Sequence, residues 1–148
     1  MSRLHRLVLP AAATAVLVVM VSLARAEGIQ AGLWKLTTIV DTGGMVGPPR
    51  DTFKCLTPDQ VKDLPATFSP QATTINSICA PLERTFDGEK LHFHLVCKGQ
   101  LDMELTGAFD FDSARHYTGT VEARAAMAGQ TMPGSVQKVD AQWVSECK

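Results

Sequence analysis

Two histidines one residue apart, His92 and His94, are the side chains in this chain best spaced for metal chemistry. On a strand, residues i and i+2 project from the same face. If Asp87-Gly88 forms a two-residue turn, Phe86 faces Glu89 and Glu83 falls opposite His92. Two imidazoles and a carboxylate suit zinc, copper or iron. The same residues are also ordinary on a solvated strand face, opposite Leu91, Phe93 and Leu95, and a metal site needs partners that orient each ring. The plainer reading is therefore preferred. A second set is Met45, Met127 and Met132, in or beside glycine-bearing loops. Thioethers bind Cu(I), though methionine more commonly fills gaps in packing. Enzymatic constellations are missing: there is no G-x-S-x-G, no carboxylate pair or Ser/His/Asp set that spacing picks out, and His116 stands alone. No cofactor is expected.

The chain has four cysteines, Cys55, Cys79, Cys97 and Cys147, with no C-x-x-C pair among them. An even count in a small exported domain reads as two disulfides, which leaves no thiol as a nucleophile. Cys79 and Cys97 flank the Asp87-Gly88 hairpin almost symmetrically, which favours Cys79–Cys97 with Cys55–Cys147. In the two-residue-turn register Ile78 rather than Cys79 faces Cys97, so this pairing requires a bulge near Pro81. The rival, Cys55–Cys79 with Cys97–Cys147, needs none.

Export is read from the first 26 residues. Arg3, His5 and Arg6 form a basic head, Leu7 to Leu23 an uncharged apolar run, and Ala24-Arg25-Ala26 a signal-peptidase site. Removal of residues 1–26 leaves a single domain over residues 27–148, expected in the periplasm or secreted, with no stable membrane span. It takes away three of the 14 basic residues and none of the 15 acidic ones, so the remainder is mildly acidic and carries no nucleic-acid-binding signature.

The elements that would position these side chains are strands. In Leu101 to Phe111, Leu101, Met103, Leu105, Phe109 and Phe111 fall on one face and Asp102, Glu104, Thr106 and Asp110 on the other. Tyr117 to Met127 and Val139 to Trp143 repeat the alternation. Leu82–Phe86 and Leu91–Cys97 flank the hairpin turn. Gly32–Val40 reads as the first strand and Thr52–Cys55 as a short second one. One short helix is expected near residues 58–64: Thr57 caps it, Pro58 suits its first position, Gln60 completes a capping box, and Leu64-Pro65 ends it. Residues 42–50 and 66–78 read as loops. The fold class is all-β, an antiparallel meander of about seven strands curled into a small barrel or a sheet folded as a sandwich.

Gly32-Leu33-Trp34-Lys35, Cys55-Leu56-Thr57-Pro58-Asp59, the cysteine pair around a hairpin, the strand Tyr117 to Thr120 and a cysteine at the extreme C-terminus together resemble a family of exported bacterial proteins, domain of unknown function family 3617. The resemblance spans essentially the whole mature chain and implies a periplasmic β-rich domain. It implies no activity.

The residues themselves point to a non-enzymatic binding protein for a small apolar ligand, an envelope component or a protein partner. Its interior would be lined by Trp34, Phe93, Met103, Phe109, Tyr117 and Trp143, which could hold a ligand or fill the space themselves. The alternative is a metal-handling protein or metal-dependent hydrolase using His92, His94 and Glu83. Intact-mass measurement of protein expressed with its own leader is expected to give a chain beginning at Glu27; a mass retaining residues 1–26 in the membrane fraction would refute cleavage.

Overall fold

The computed structural model describes residues 28–70 and 77–148. The export segment lies outside the described residues. What is described is an antiparallel sheet with two short helices. The strands are β1 (Gly32–Thr42), β2 (Met45–Val46), β3 (Arg50–Leu56), β4 (Ser77–Cys79), β5 (Glu83–Phe86), β6 (Lys90–Gly99), β7 (Leu101–Ser113), β8 (His116–Met127), β9 (Gln130–Thr131) and β10 (Ser135–Ser145). The helices are α1 (Pro58–Lys62) and α2 (Leu64–Phe68).

The strand segments occupy fewer positions than their number suggests. β2 and β3 both pair with the same side of β1, at opposite ends of it, and β4 and β5 share one side of β6 in the same way. Across the sheet the order runs β2/β3, β1, β10, β8, β7, β6 and β4/β5. This is the meander of about seven strands, with the last strand inserted beside the first. The sheet does not close, so it is a curled sheet and not a barrel. Its two edges are β2/β3 and β4/β5, and the chain passes from one edge to the other through α1 and α2.

That passage corrects the single helix. Thr57 caps α1 as its sequence suggests, its hydroxyl accepting from the Gln60 N–H at 3.3 Å while Gln60 Oε1 accepts from the Thr57 N–H at 2.9 Å. Leu64-Pro65 does not end the helix. Asp63 breaks it and caps a second one, accepting from the Ala66 N–H at 3.0 Å, with Pro65 at a first-turn position where no N–H is needed. The loop expected over residues 66–78 thus contains the end of α2 and the start of β4, and that expected over residues 42–50 contains β2.

α2 exists to deliver Phe68. Its ring stands edge-on to Phe109, Phe111 and Tyr117 at centroid distances of 5.2, 5.1 and 5.1 Å. Trp34, Leu56, Leu64, Leu91, Phe93 and Ala141 complete the buried cluster on the concave face. The aromatics there are arranged in steps. Phe93 on β6 is paired with Gly107 on β7, Phe109 on β7 with Gly119 on β8, and Tyr117 on β8 with Ala141 on β10. Each ring lies against a small residue of the next strand. A Cβ on Gly107 would sit 2.2 Å from the Phe93 ring, and one on Gly119 would sit 2.4 Å from Phe109.

The N-terminal stretch is held by indoles. Trp34 Nε1 donates to the Gln30 carbonyl and Trp143 Nε1 to that of Ala31, each at 3.0 Å. Gly32, at φ 142°, lies where a Cβ would come within 2.3 Å of Trp143 Nε1, so the Gly-Leu-Trp at the start of the first strand has a steric reason.

Overpacking a full core costs about 1–3 kcal/mol. Gly119→Ala is therefore expected to lower the unfolding free energy by an amount in that range, read as a lower urea midpoint at unchanged slope, and Phe109→Leu to restore part of it in a double-mutant cycle. An unchanged midpoint in Gly119→Ala would refute the contact.

Candidate functional site

The histidine pair lies on the convex face, and the turn decides its company. Asp87 Oδ1 accepts from the Glu89 N–H at 2.9 Å and the Lys90 N–H at 2.7 Å, while the Asp87 N–H bonds the Lys90 carbonyl at 3.3 Å. The bond from the Lys90 N–H, then that from Glu89, hold the Asp87 carboxyl below its ordinary range. Gly88 takes φ 101°. The connection is consequently longer than two residues. Phe86 pairs with Leu91, not Glu89, and Glu83 comes opposite His94, not His92.

His94 is the engaged member of the pair. Its Nε2 lies 2.9 Å from Glu104 Oε1 and its Nδ1 3.8 Å from Glu83 Oε2. His92 is exposed and paired across the strands with Thr85 and Ala108. The structure therefore brings Glu83 to His94 and leaves His92 apart. Among the described residues, no three His, Cys, Asp or Glu side chains are grouped so as to hold a metal ion.

The cysteines pair as Cys55–Cys147 and Cys79–Cys97. Cys79 and Cys97 are direct register partners. Between that pair and Glu83–His94 the β4/β5 side contains one residue more than β6, and the excess is absorbed around Ala80-Pro81-Leu82, where proline offers no ladder N–H.

His116 is the ionisable group that spacing did not single out. It opens β8 on the convex face, with Asp112 just across the β7–β8 turn and Asp140 on β10. Nδ1 lies 2.7 Å from Asp112 Oδ2 and Nε2 lies 3.1 Å from Asp140 Oδ2. The hydrogen bond to Asp140, and after it the one to Asp112, raise the imidazole pKa, while burial opposes them. With a carboxylate at each ring nitrogen, the group is a clasp that joins β7, β8 and β10. The only sequence signal for it was Asp112, four residues before His116 across a turn. Asp140 could be placed only once the strand order was known.

The concave face offers different chemistry at its two ends. Towards the helices, Trp34, Phe93, Phe109 and Tyr117 are buried in the packed cluster, with Trp143 against it. Burial pushes the Tyr117 phenol up to about 12. Away from the helices the face is open. Leu101 pairs with Met127 there, Met103 with Ala125, and Leu101 and Met127 are 36% and 58% exposed. A pocket of about 540 Å³ is lined by residues 99–102 and 126–129, the tips of the β6–β7 and β8–β9 hairpins. Ala128 in its wall has φ 51°, and Gly129 has φ 75°. A non-glycine residue held in the left-handed region costs about 1–2 kcal/mol.

The family model described as protein of unknown function (DUF3617) matches residues 29–147 of the chain. No curated protein and no solved structure matches it.

Since the folded His116 pKa lies above that of the unfolded chain, the clasp stabilises the protein fully below the unfolded value of about 6.5 and is lost as pH rises through the folded one. Urea midpoints are expected to fall over that interval in the native protein and to change less in His116→Asn. An NMR titration placing His116 at or below 6.5 would refute the clasp.

Proposed function

The chain belongs to the DUF3617 family of proteins of unknown function, and we propose that it is a non-enzymatic extracytoplasmic binding protein whose open concave end takes a small apolar ligand or the apolar part of an envelope component. The observation that carries this reading is the pocket between the β6–β7 and β8–β9 tips. Its volume falls within the range of small-molecule sites, roughly 300–1,000 Å³. Its walls are glycine backbone, alanines, Leu101 and Met127, with Gln100 and Asp102 as the polar members, and Leu101 and Met127 are left in contact with solvent. The strained Ala128 is part of that wall, and strain retained at a rim is a mark of functional loops.

The rest of the molecule supports the same reading. The aromatic cluster fixes one end of the sheet and leaves the other free to receive a guest. On the convex face His94 and His116 are engaged with carboxylates, and neither lines the pocket. Two disulfides, and no helix among the described residues long and apolar enough to cross a membrane, accord with a protein that works outside the cytoplasm.

The probe is N-phenyl-1-naphthylamine, whose fluorescence rises in apolar surroundings. The mature protein is expected to bind it at micromolar concentrations, and Leu101→Gln combined with Met127→Gln to weaken binding at least tenfold without moving the urea midpoint. No fluorescence gain with the native protein, or an unchanged affinity in the double variant, would refute the site.

A further inference from the structure

We propose that Met103, Met127 and Met132 form a thioether site for a soft monovalent metal ion, Cu(I), on the concave face around Ala125. Ala125 pairs with Met103 on β7 and, on its other side, its carbonyl accepts the Met132 N–H at 2.8 Å just beyond β9. Met127 lies two residues further along β8 and so projects from the same face as Ala125. Residues paired across strands share a face, so all three methionines surround one methyl group. Neighbouring strands are about 4.8 Å apart, which sets Met103 and Met132 roughly 10 Å from each other across Ala125. Met127 is about 7 Å along the strand from Ala125. Unbranched side chains with three rotatable bonds converge readily over so small a residue.

The chemistry selects the ion. A thioether is neutral and soft, and it suits Cu(I) where oxygen and imidazole sets suit Zn²⁺ and harder ions. Both cysteine pairs are bridged, so no free thiol competes among the described residues. Asp102, the carboxylate at the edge of the pocket, is held by the Gly99 N–H and by Lys98, each at 3.1 Å. Met127 and Met132 are 58% and 46% exposed, so an ion reaches them without unfolding. Met45 pairs with Thr42 on β1, which is separated from β8 by β10, and so lies outside the register around Ala125.

The site makes a demand that histidine or cysteine sites do not meet. Thioether sulfur has no proton to lose, so affinity is independent of pH where an imidazole or thiol site would weaken on acidification. The test titrates the anaerobic mature protein with Cu(I) held by bathocuproine disulfonate, at pH 5 and at pH 7. The expected result is one equivalent withdrawn from the chelator at both pH values. Affinity should fall at least tenfold in each of Met127→Leu and Met132→Leu, and hold in Met45→Leu. Leucine conserves volume, so circular dichroism of each variant should match the native protein. Copper left entirely with the chelator, a loss of affinity at pH 5, or equal effects in all three variants would overturn the site. N-phenyl-1-naphthylamine uptake is read without metal, so the apolar-ligand reading and the copper site stand or fall separately.

Discussion

The absence of a Cβ at two positions governs this fold. Phe93 and Phe109 can lie flat across the sheet only because Gly107 and Gly119, their cross-strand partners, present nothing but backbone. Glycine inside a strand ordinarily weakens it, and an aromatic ring laid over the gap restores the lost packing. Here the device is used twice, and Tyr117 over Ala141 continues it on the next strand pair. The rings therefore form one ramp on the concave side, and Phe68 needs only to settle against it to complete the cluster.

Once that ramp is filled, little is left for the interior to do. Trp34, Phe93, Phe109 and Tyr117 fill one end of the concave face, and their combined volume explains why the open space lies beyond them, at the hairpin tips. On the convex side His94 and His116 are met by carboxylates. This placement follows from period-two alternation: Trp34, Phe109 and Tyr117 face inward, and their neighbours Lys35, Asp110 and Thr118 face outward.

Much of the fold could be read from that alternation, and so could its turns when they were chemically simple. What could not be read was anything depending on a loop's exact length. Asp87 captures two backbone N–H groups instead of one tight turn, and that alone moves Glu83 from His92 to His94. The bulge at Ala80-Pro81-Leu82 was legible because proline signals a missing donor. Asp63, by contrast, resembles any helix residue until it is seen accepting from the Ala66 N–H. The convex clasp shows the same limit: Asp140 reaches His116 through a strand order that places the last long strand beside β8. The methionine trio was half visible. Its Met127 and Met132 stood out by their loops, but Met103 joins them only through register with Ala125.

The covalent links give the edge-to-edge crossover an unusual footing. The chain leaves β3 one residue after Cys55, which is bound to Cys147, and re-enters the sheet in β4, which ends at Cys79, bound to Cys97. The segment that carries Phe68 is thus moored to the sheet at both ends, like a strap riveted across an open cuff. A protease cutting anywhere between positions 56 and 78 would break the polypeptide yet release no fragment, because Cys55–Cys147 still joins the two pieces. The nicked species would run at its original mass until a reductant separated it. Such a cut would leave the two pieces covalently joined.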